Sequence, residues 1–91
     1  HMCIKDGLMA SILVVVTFLA GSTWGPIITT TPTVNAESCG ALKLEVAQQI
    51  ANAARANVLG GASISKDSDD LIVTARGQGT REMARLSCKQ S

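Results

Sequence analysis

An apolar run near the start of the chain decides how much of it is left to fold alone. Leu8 to Ala20 is a nearly uncharged stretch of 13 residues behind Lys5, and a threonine-rich segment carries it on to Val34-Asn35-Ala36. A basic residue, a short apolar run, then small Ala36 with Val34 two places before it make the pattern of an export signal cut after Ala36. Retention as a signal anchor is the alternative. A membrane-spanning helix takes about 20 mostly apolar residues. Leu8 to Ile28 supplies 21, although Gly21, Gly25 and Pro26 break its last third. In that reading Trp24 suits the membrane interface, and Thr29 to Val34, with Pro32, forms a short extended tether. Both readings carry residues 37–91 across a membrane, because Lys5 favours staying inside. His1-Met2 reads as a vector scar. The expected organisation is a leader over residues 1–36 and a small exported domain over residues 37–91, periplasmic or extracellular, or else anchored and facing outward.

The exported part is 55 residues long and holds two cysteines, Cys39 and Cys88, which bracket most of it. A domain of that size buries only about 60% of its unfolded surface and is marginal without a staple. An oxidising compartment favours a Cys39–Cys88 disulfide. Closing the 50-residue loop from Cys39 to Cys88 is worth on the order of 4 kcal/mol. A zinc site would need further ligands, and residues 37–91 hold no histidine and no third cysteine.

No aromatic ring occurs after Trp24, since Phe18 also lies in the leader and the chain has no tyrosine. Sugar sites and single-strand nucleic-acid sites stack their ligands on rings, so both fit poorly. Without histidine the segment also lacks the usual general base near neutral pH. Seven cations face six carboxylates in residues 37–91, and this balance names no partner.

Within the exported part, Cys39, Leu42, Val46, Ile50, Ala53, Ala54 and Asn57 recur at three and four, which predicts an amphipathic helix over 39–58. Ser38 is its expected cap, Gly60-Gly61 its end, and Leu44 an apolar residue on its polar side. Ala62 to Lys66 alternates and Leu71 to Arg76 is rich in β-branched residues. With the polar turn Asp67-Ser68-Asp69-Asp70 between them, they read as a hairpin. Gly77-Gln78-Gly79 marks a second reversal, and the remainder suits a third strand that brings Cys88 toward Cys39. The expected fold class is α+β: one amphipathic helix packed on a small antiparallel sheet as an α-β-β-β meander, with α-β-β-α as the alternative.

Three constellations could carry function. Asp67, Asp69 and Asp70 offer oxygen ligands for calcium, but Leu71 breaks the EF-hand type of pattern, and a solvated turn accounts for them more simply. Arg81, Arg85 and Lys89 are spaced by four and so share one face as strand or as helix, joined there by Arg76. These four residues form the candidate basic face for an anionic or acidic partner, a protein or a lipid head group. A solubilising outer surface is the simpler use of the same residues. The alanine-rich helix stripe could dock a partner helix, or bury the domain's own sheet. No phosphate loop, serine nucleophile motif or cysteine beside a base is present, and no catalytic residue, cofactor or metal is expected. The expected function is that of a small exported, non-catalytic binding or inhibitor module. The alternative is a membrane-anchored accessory subunit whose Leu8 to Ile28 packs in the bilayer.

Overall fold

A computed structural model of the chain describes residues 10–18, 26–57, 61–76 and 80–90. Along the chain come β1 (Ser11–Thr17), β2 (Ile27–Thr33), α1 (Ala36–Asn57), β3 (Ala62–Asp67), β4 (Asp70–Arg76) and β5 (Thr80–Gln90). The strands form one antiparallel sheet in the order β2-β1-β5-β4-β3, and α1 packs on it. The α+β class therefore holds, and Thr80–Gln90 is a strand rather than a second helix.

Strand count and order differ from the three-stranded meander. The expected β3-β4-β5 succession is present, but two further strands come from the segment read as a leader. β1 enters the sheet between β2 and β5, with Leu13 opposite Cys88 and Val15 opposite Leu86. The physical reason lies in the run Ile12-Leu13-Val14-Val15-Val16. A short unbroken aliphatic stretch is the composition of an export signal and equally that of an inner strand with apolar neighbours on both faces. Alternation settles its orientation in the fold, since Leu13 and Val15 are buried while Ile12, Val14 and Val16 keep part of their surface. The threonines of β2 are β-branched and suit an edge strand, where Pro32 is tolerated. Trp24, Gly60 and the reversal Gly77-Gln78-Gly79 lie outside the described residues.

The helix begins a turn earlier than its periodicity suggests. Asn35, not Ser38, is the cap: its side-chain oxygen accepts from the Ser38 backbone N–H at 2.7 Å, and its carbonyl accepts from the Cys39 N–H at 3.0 Å. Glu37 in the first turn and Arg55 in the last complement the helix dipole. The buried line of α1 is Cys39, Ala47, Ala51 and Ala54, flanked by Leu42, Val46 and Ile50, while Ala53 is exposed. Leu44 is exposed, on the polar side. The core beneath the alanines is built from Leu13, Val15, Leu71, Val73, Ala84 and Leu86.

Cys39 near the start of α1 is bonded to Cys88 on β5, with Cα atoms 6.1 Å apart and a sequence separation of 49. The bond fastens the start of the helix to the strand that lies against β1. Replacing both cysteines with alanine should lower unfolding free energy by about 2–5 kcal/mol, measured by urea denaturation. Leu86, 0% exposed, faces the same layer. Leu86→Ala should cost about 2–5 kcal/mol in the same assay, because the thin alanine contact above it leaves little to collapse into the cavity.

Candidate binding face

α1 is the one helix among the described residues, and it covers one side of the sheet. Strand alternation puts Leu71, Val73, Ala75, Ala84 and Leu86 toward it. The other side carries Ile12, Val14 and Val16 from β1, Ile72 and Arg76 from β4, and Arg85 and Lys89 from β5. Register fixes the neighbours there. Arg85 lies between Val16 and Ile72, and Lys89 lies opposite Ile12.

Arg85 is a half-buried guanidinium held by three carboxylates. Its Nη1 donates to Asp67 Oδ2 at 3.2 Å and to Asp70 Oδ2 at 3.3 Å, and its Nε donates to Glu82 Oε2 at 3.4 Å. These contacts raise its pKa above the ordinary arginine value, Asp67 contributing most, then Glu82 and Asp70, with burial opposing. A raised pKa on a cation preserves its contribution at every pH below the unfolded value, so the cluster stays charged on the arginine side wherever the protein is handled.

The acidic turn that the sequence offers as a calcium candidate is thus turned to a different use. Asp67 and Asp70 close the β3–β4 hairpin as its last register pair and point their carboxylates at Arg85. Ser68 between them has φ 58°, the left-handed backbone suited to the first central position of a type II′ turn. The Asp69 carbonyl accepts a hydrogen bond from Lys43 Nζ, which ties the turn to the helix. Among the described residues no group of three metal-binding side chains forms.

A β-bulge separates the remaining cations. Val73 pairs with Ala84 but Thr74 pairs with Glu82, so Met83 is the extra residue on β5. Its carbonyl accepts from the Phe18 N–H at 2.8 Å, which anchors the bulge to the end of β1. Beyond it the alternation inverts: Arg81 lies opposite Ala75, on the helix side, rather than on the side of Arg85. Arg76 pairs with Thr80 at one end of β5, and Lys89 is nine residues farther along, about 30 Å away at the rise of a strand. The structure therefore places Arg76, Arg85 and Lys89 in a line on the side of the sheet away from α1 and sets Arg81 apart. Sequence reasoning missed the three carboxylates around Arg85. The Glu82 spacing of three was visible, whereas Asp67 and Asp70 become neighbours only through the hairpin register.

Arg85→Gln should lower the melting temperature at low salt. The gap from the unmodified protein should narrow near 1 M salt, where the Debye length is about 3 Å, as followed by circular dichroism. Compared with known proteins, the chain matches no family model, no curated protein and no solved structure.

Proposed function

We propose that this protein is a small exported binding module without catalytic chemistry, stapled by the Cys39–Cys88 bond, which meets an anionic or acidic partner along the side of its sheet that faces away from α1. The observation that carries this reading is the line of cations there. Arg76 and Lys89 form no ion pair with any carboxylate among the described residues, while Arg85 between them is already compensated. The spacing suits an extended acidic segment or a lipid surface better than a small ligand. An oxidised cysteine pair is in keeping with an oxidising compartment, and the Lys5-led apolar run supports export.

The test compares two variants that differ in side rather than in charge count alone. Arg76→Glu with Lys89→Glu should weaken binding to phosphatidylglycerol vesicles, or retention on polyglutamate, by about tenfold or more at low salt. Arg81→Glu, on the helix side, should leave it nearly unchanged. Co-sedimentation reads the lipid arm and column retention the protein arm. Equal losses in both variants, or no binding of the unmodified protein to either probe, removes the reading.

A further inference from the structure

Deepening the exported-module reading, and resting on it, we infer that β5 forms one wall of an acceptor groove for an extended apolar polypeptide strand, a place that the chain's own β1 occupies in this structure. The two uses of residues 11–17 exclude each other. A signal cut after Ala36 leaves with its strand, and a retained anchor holds those residues in the bilayer. In the cut, one water adds across the Ala36–Glu37 peptide bond, leaving a carboxylate on Ala36 and an ammonium on Glu37. The cut falls at the first residues of α1, and both outcomes leave the sheet without β1.

What β1 covers defines what the groove takes. Its register with β5 runs from Ser11 opposite Gln90 to Thr17 opposite Ala84. Without it, the backbone edge of residues 84–90 faces water, and an exposed strand edge is a template for pairing. Beside that edge, Leu13 and Val15, 1% and 8% exposed, fill the layer against Leu86, Ala47 and Cys39. Leu13 also lies directly opposite the disulfide-bonded Cys88. The occupant is therefore an antiparallel strand of a partner protein with aliphatic side chains at two alternate positions, bound by main-chain hydrogen bonds and read by two apolar pockets.

The full chain, with a protease site inserted between Val34 and Asn35, keeps the fold intact until it is nicked. The oxidised, nicked protein is taken up in urea and diluted with an excess of a fluorescent peptide carrying residues 10–18. Saturable uptake, read as anisotropy, is expected for the nicked protein and not for the unnicked one. The same peptide with Leu13→Asp should bind about a hundredfold more weakly, since it places a carboxylate in a buried apolar position. No uptake, equal uptake of the Leu13→Asp peptide, or pairing of nicked chains with each other in place of peptide, seen by light scattering, overturns the groove. The export reading is judged separately by intact mass of the protein from its native host. A soluble, uncut chain there defeats that reading even if the peptide binds.

Discussion

Everything in this fold hangs on a contact made of very small side chains. Ala47, Ala51 and Ala54 form the line along which α1 meets the sheet, and the first two have no exposed surface. Alanine favours the helix and lets its backbone come close, but each residue removes little apolar area from water. The larger groups, Leu13, Leu86 and Val73, all come from the sheet. A core assembled this way is thin, and the remaining ties gain importance. The Cys39–Cys88 bond holds one end of the helix. At the other end Arg55 Nε donates to the Ala62 carbonyl at 3.2 Å, and its Nη1 donates to Asn52 Oδ1 at 2.8 Å.

The same economy explains why β1 matters. It brings two of the bulkier aliphatic side chains to the helix side, and it is flanked by partners on both edges. A fold with few large residues draws on whichever apolar segment the chain offers, and Ile12 to Val16 is the most aliphatic one. The same aliphatic composition that makes these residues an inner strand is also the composition of a targeting segment, so one local signal is compatible with two destinations. Transfer into a membrane and insertion beside β5 both satisfy their need to leave water.

Much of residues 37–91 was legible in the sequence because each element there carries a local signal. The helix has its period of three and four, the hairpin its polar turn, and the cysteines their bracketing positions. Two kinds of fact had no local signal. The partnership of Ser11–Thr17 with β5 is a long-range pairing, and its composition agrees with two quite different fates. The fate of the cations was also hidden. Spacing by four promised one face for Arg81, Arg85 and Lys89, and the promise depended on a regular strand. Helix details were displaced by small amounts for ordinary reasons: Asn35 outcompetes Ser38 as a cap because it stands where the first free N–H groups point.

The extra residue at Met83 divides β5 into two stretches of opposite parity. Ala84, Leu86 and Cys88 keep their inward phase by counting from the bulge and from β1, not from the start of the strand. A gain or loss of one residue ahead of Met83 would change which side Arg81 addresses while leaving the three core positions untouched. The surface of this strand is in that sense free to drift against its interior, with the two halves of one element answering to different constraints.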